Sequence, residues 1–312
     1  MGKVVVKRQS MRARLGIAGQ QPNAAGVFEN NRAVISQLTG AIARAVLIVV
    51  LIATPSMLLP SIANDTIQVV SLVAIFGAAL TFFEYSSNYP SLVEFRDAPP
   101  FNRVRYISLL LIVFFLSEIF RGRVEPTTLT MFVEAVGTLI GQAIDFPYSP
   151  VGLVVLMLPE NTNTENLVII RSAAGISYLV SLLTLVAFVL ILRIKGWPTH
   201  GKPFNVWVNL PTFDPTAGSD VVKRLYRDAR INIILGFLLP FISPVIVKTA
   251  SMVFEPIALD SPQTMVWTMA AWAFLPASLF MRGIAMGRIA SMIEEKRKSA
   301  SDLANEEDHS LA

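Results

Sequence analysis

Residues 127–145 carry the pattern best suited to chemistry. Thr127, Thr130, Glu134, Thr138, Gly141 and Asp145 follow one another at steps of 3, 4, 4, 3 and 4. At about 100° per residue these six fall within an arc of about 80°, while Met131, Phe132, Val133, Val136, Leu139, Ile140 and Ile144 cover the rest of the helix. Gln142 flanks the stripe, and Gly137 and Gly141 permit close approach of a neighbouring helix. The stretch begins after Pro126, stops before Pro147 and rises about 28 Å over its 19 residues. Two carboxylates, with no base on the same helix, are suited to hold a proton or a cation if they face a sheltered cavity. On a helix lying along the membrane surface they would simply face water. The apolar run 151–158 is too short to cross a bilayer, so insertion here implies a re-entrant hairpin. Region 127–158 is therefore expected to form an extracytoplasmic amphipathic or re-entrant helix.

Other catalytic chemistry lacks its residues. The chain has no cysteine, which removes thiolate metal sites, disulfides and cysteine nucleophiles together. Its two histidines, His200 and His309, fall in polar segments outside the apolar runs. No phosphate-binding glycine loop, dinucleotide fingerprint, His-Glu-x-x-His or Gly-x-Ser-x-Gly occurs. No cofactor and no enzymatic activity are expected.

Two connecting segments are richer in aromatics and proline than flexible linkers are. Pro-Phe-Asn occurs in both, at 100–102 and 203–205. Tyr89, Phe101, Arg103, Phe204 and Trp207 are candidate contacts for a membrane or cytoplasmic protein partner, since aromatics and Arg anchor interfaces. The alternative is that the two loops pack together and cap the helices. Ser219-Asp220 is placed to cap a short interfacial helix whose Lys223, Arg224, Arg227 and Arg230 would contact anionic lipid headgroups. Glu118 and Arg121 are spaced to pair on one helix face.

The elements that must position these residues are membrane spans. Hydrophobic residues make up 53% of the 312 and charged residues 15%, with mean hydropathy +0.56, so bilayer is the natural solvent. Six apolar stretches, about 45–63, 67–83, 106–120, 172–192, 231–250 and 264–281, imply six transmembrane helices in three hairpins. The first and third hairpins share a faint Arg, Pro, Pro, Gln pattern. With both termini cytoplasmic, 22 of the 26 Lys and Arg fall inside, and only Arg121, Arg123, Arg171 and Lys248 outside. The fold class is an all-α integral membrane protein. A basic cytoplasmic arm (1–44) precedes the membrane domain (45–285), and a polar cytoplasmic tail (286–312) follows it, unstructured after Lys298. The first apolar run starts too far from the N-terminus for a secretory signal. Bases flanking spans point to lipid headgroups and not to nucleic acid. A bacterial inner membrane is expected, with the mitochondrial inner membrane as the alternative. The functional expectation is a non-enzymatic structural or accessory subunit of a membrane complex. A small cation- or proton-linked transporter or channel is the alternative.

Overall fold

The computed structural model describes residues 24–60, 62–89, 91–158, 162–198, 204–214, 220–251 and 261–311. Residues 1–23 of the basic arm, His200, Ser219, Glu255 and Asp260 lie outside them. The described chain is all-helical: α1 (Ala24–Leu58), α2 (Asn64–Ser86), α3 (Phe101–Gly122), α4 (Thr128–Ala143), α5 (Pro150–Leu156), α6 (Thr164–Ile194), α7 (Val206–Asn209), α8 (Val221–Ala250) and α9 (Pro262–Leu311).

Five helices, α1, α2, α6, α8 and α9, contain stretches long and apolar enough to cross a membrane. The expected sixth, α3, differs in composition. Each of its 18-residue stretches holds three charges drawn from Arg103, Arg105, Glu118 and Arg121. It is nonetheless central. Ile112, Val113, Leu116, Ser117, Glu118 and Ile119 are buried, and α3 packs on α1, α4, α6 and α9.

Helix runs unbroken across positions 44 and 285. Residues 24–44 are the start of α1, so no separate arm ends at 44. The tail after Lys298, expected to be unstructured, continues α9 as helix to Leu311. Ala300, Leu303, Ala304, Glu306 and Glu307 are strong helix formers, and propensity of this kind outweighs the polar composition.

Local chemistry sets the helix starts. Thr127 and Thr130 form a reciprocal capping box, Thr130 N to Thr127 Oγ1 at 3.2 Å and Thr127 N to Thr130 Oγ1 at 2.8 Å. Ser149 accepts from Gly152 N at 2.9 Å ahead of Pro150, and Asn163 accepts from Asn166 N at 2.7 Å. Asp220 caps α8 through Val222 N at 3.3 Å.

Pro55, Pro240, Pro244 and Pro276 all lie inside helices. Because Pro244 has no N–H, the Pro240 carbonyl loses its helical donor. Trp272 Nε1 of α9 donates to that carbonyl at 3.2 Å, so a missing bond within α8 becomes a bond between helices. Other helix pairs are fastened similarly: Tyr106 Oη to Leu47 O at 2.9 Å, Thr184 Oγ1 to Ser108 Oγ at 2.8 Å, and Ser181 Oγ to Ala273 O at 2.9 Å.

Two buried clusters divide the body. One joins α1, α3, α4, α5, α6 and the start of α9 around Ile112, Leu116 and Met269. The other, at the opposite end, joins residues 91–100, 195–198 and 204–214 to α3, α6, α8 and α9 around Phe95, Phe101, Phe188 and Met286. The α1–α2 hairpin is peripheral: α2 packs on α1 and buries only Ala74.

Candidate functional site

The polar stripe of α4 lies along the edge of the face packed on the protein. Thr130 and Gly141 are buried beside Val133 and Gly137, and Thr127, Glu134, Thr138 and Asp145 are half-buried, while Leu129, Met131, Phe132 and Leu139 are exposed. A helix lying on the membrane with its acids in water would show the reverse. Glycine permits the contact. A Cβ on Gly175 of α6 would stand 2.6 Å from Gly141 Cα, so the two helices touch backbone to backbone.

Most of the stripe has a structural partner. Thr127 and Thr130 cap the helix, and Thr138 Oγ1 lies 2.9 Å from Ser172 Oγ on α6. Asp145 Oδ2 lies 2.6 Å from Arg171 Nε, yet that N–H makes no hydrogen bond, so the contact is an ion pair with poor angular alignment. Gln142 is exposed, and Glu134 is partly buried with no ion pair among the described residues. Nearby Glu118 is 2% exposed; Arg121 Nη1 stands 3.9 Å from its Oε1, and its Oε2 has no hydrogen-bond partner. Arg121 also reaches Glu125 at 3.3 Å, and Arg123 joins the end of α3 to Glu165 of α6 at 2.7 Å.

The opposite end holds a network that local sequence patterns do not reveal. Arg282 of α9 grips Glu94 of loop 87–100 with both forks, Nε to Oε2 at 2.6 Å and Nη2 to Oε1 at 2.8 Å. Thr212 Oγ1 donates to Glu94 Oε1 at 2.9 Å, and Asn102 Nδ2 to the Glu94 carbonyl at 2.7 Å. Asn209 ties the two loops, accepting from Phe95 N at 2.7 Å and, through Oδ1, from Asp97 N at 3.0 Å. Burial pushes the Glu94 carboxyl up, but the Arg282 hydrogen bonds and charge, the Thr212 hydroxyl and the Arg105 charge outweigh it. Its pKa falls below the ordinary value. Arg105 rests its guanidinium over Phe101 and Phe274 at 5.3 and 5.8 Å.

These loops remove Phe101 from any docking surface. Its ring is 1% exposed and packs 4.2 Å from Phe95 and 5.8 Å from Phe188. Phe204 is half-buried, edge-on to Trp197 at 6.1 Å. Tyr89 and Arg103 are exposed, and the Trp207 side chain lies outside the described residues. The expected partner residues therefore do not form one exposed patch. Of the expected headgroup contacts, Lys223, Arg227 and Arg230 are exposed. Arg224 instead donates to Asp214 O at 2.7 Å and stacks on Phe213 at 4.7 Å. Asp220 binds Arg297 at 2.7 Å, and that hydrogen bond is the chief cause of its lowered pKa.

Among the described residues no three His, Asp or Glu side chains are grouped to hold a metal ion. An apolar groove of about 230 Å³ lies between α5, α8 and α9. No family model, curated protein or solved structure matches this chain.

Proposed function

We propose that this is a non-enzymatic structural or accessory subunit of a membrane complex, crossing the bilayer six times with both termini in the cytoplasm of a bacterial cell. The α3 charges sit near its two ends, with an apolar run between them, which supports its place as the sixth span. One observation carries the subunit reading: carboxylates that could serve chemistry instead tie elements of the protein together, as Glu94 does to Arg282, Asp145 to Arg171 and Glu165 to Arg123. The peripheral α1–α2 hairpin is the surface offered to another membrane protein, through Leu72, Phe76 and Phe83 of α2. Lys223, Arg227 and Arg230 meet anionic headgroups of the cytoplasmic leaflet.

Photo-cross-linking residues placed at Leu72 and Phe76 in native membranes test this. A discrete protein adduct supports the reading, and lipid adducts alone at both positions reject it. Single cysteines at Ser87 and Ser310 should label from the cytoplasm and one at Thr162 from outside; the native chain has no cysteine to interfere. The alternative, a cation- or proton-linked transporter, draws on the free oxygen of Glu118 and on Glu134 at the α4 interface.

A further inference from the structure

The groove between α5, α8 and α9 is lined by Val154 and Met157, by Leu239, Pro244 and Val247, and by Met269, Trp272 and Leu275. Its hydroxyls are few, and Ser243 Oγ is occupied by the Leu239 carbonyl at 2.6 Å. The floor is fixed in place. Trp272 is held at Nε1 by the Pro240 carbonyl and is stacked by Tyr178 at 5.9 Å. A dry apolar space of about 150 Å³ suffices to bind benzene, so about 230 Å³ holds a run of methylenes.

The rim supplies a charge. Arg121, Arg123 and Arg171, at the α4–α5 end of the body, each face a carboxylate. Lys248, one residue beyond Val247 of the groove, has no ion pair among the described residues and reaches only the Leu158 carbonyl, at 3.4 Å. That distance is long for a hydrogen bond, so the ammonium retains donors for an anion.

We propose that this groove seats one acyl chain of an anionic phospholipid from the leaflet on the α4–α5 side, with its headgroup phosphate against Lys248. A hydrocarbon slot with a cation at its mouth matches an amphiphile of that charge, and two of its walls, α8 and α9, are helices apolar enough to cross a membrane. This inference is independent of the subunit reading.

The experiment is quenching of Trp272 fluorescence in nanodiscs by phospholipids brominated on their acyl chains, taking the Trp272 signal by difference from Trp272→Phe. Phosphatidylglycerol should quench at about fivefold lower mole fraction than phosphatidylcholine, the advantage of one lysine near a headgroup. Lys248→Gln should abolish that ratio, and Ala271→Phe, which fills the groove, should reduce quenching by both lipids. Equal quenching by the two lipids in the wild type, or an unchanged ratio in Lys248→Gln, overturns the proposal. So does undiminished quenching in a folded Ala271→Phe protein. Lys248→Gln places nothing in the groove and keeps the test decisive if Ala271→Phe does not fold.

Discussion

Two arginine–carboxylate contacts in this molecule share one distance and differ in construction. Arg282 meets Glu94 at 2.6 Å and Arg171 meets Asp145 at 2.6 Å. Glu94 is gripped bidentately, takes a third bond from Thr212 and is 15% exposed. Asp145 meets a misaligned Nε and is 24% exposed, at the end of a helix pair already joined by glycine contact. The strength of such a pair lies in alignment and additional partners, not in the closest approach alone. Glu94 should therefore hold its end of the protein together, whereas Asp145 should only trim an interface that backbone packing already defines.

The sharpest way to break this comparison is to remove Arg282. Arg282→Met leaves the Glu94 carboxylate in a half-closed site with Thr212 as its one remaining side-chain donor. The expected loss is about 3 kcal/mol, read as a lower unfolding midpoint in detergent. The pH dependence has a definite sign. Glu94 has a folded pKa below its ordinary 4.5, so its contribution is complete above that value and disappears as pH falls through the folded one. Glu94→Gln should flatten this acid limb. An unchanged limb in that variant would place the acid sensitivity elsewhere.

Gly175→Ala attacks the other region through its packing. The new Cβ meets Gly141 backbone at 2.6 Å, where no flexible side chain can yield, so α4 must move off α6. A loss of about 2 kcal/mol is expected, with faster proteolysis near Phe146 as the local readout. A neutral result would mean that the α4–α6 contact is looser than backbone touching.

The difference in legibility between these two regions has a physical origin. Periodicity within one segment exposed the α4 stripe, and Gly137 and Gly141 marked a helix contact. Proline positions and the cap at Asp220 were local signals of the same kind. Glu94 and Arg282 are 188 residues apart, and neither position carries a pattern that names the other. The aromatic loops showed that something folds there, but composition alone could not distinguish buried Phe101 from exposed Tyr89. The inward turn of the stripe was hidden for a related reason. A face of Thr, Gly and Glu suits either water or a sheltered contact until a neighbouring Gly175 and Ser172 supply the surface it packs on.

Asp145→Asn sharpens the comparison on a smaller scale. The amide keeps the shape and forfeits the charge on a partly exposed, misaligned pair, so about 1 kcal/mol or less is expected in thermal unfolding. A loss as large as that of Arg282→Met would overturn the ranking of the two pairs.

Glu134→Gln should have the smallest effect, and it separates the two functional readings. Glu134 sits on the stripe between Thr130 and Thr138, partly buried and without an ion pair among the described residues. Its neutral analogue has the same shape, and a group with no partner leaves none stranded. The midpoint should stay within about 0.5 kcal/mol of the wild type. Under the subunit reading, proteoliposomes of the wild-type protein carry no cation flux, and the substitution changes nothing. A robust wild-type flux that Glu134→Gln abolishes, with stability intact, would make the α4 stripe a working site and move the protein to the transporter reading.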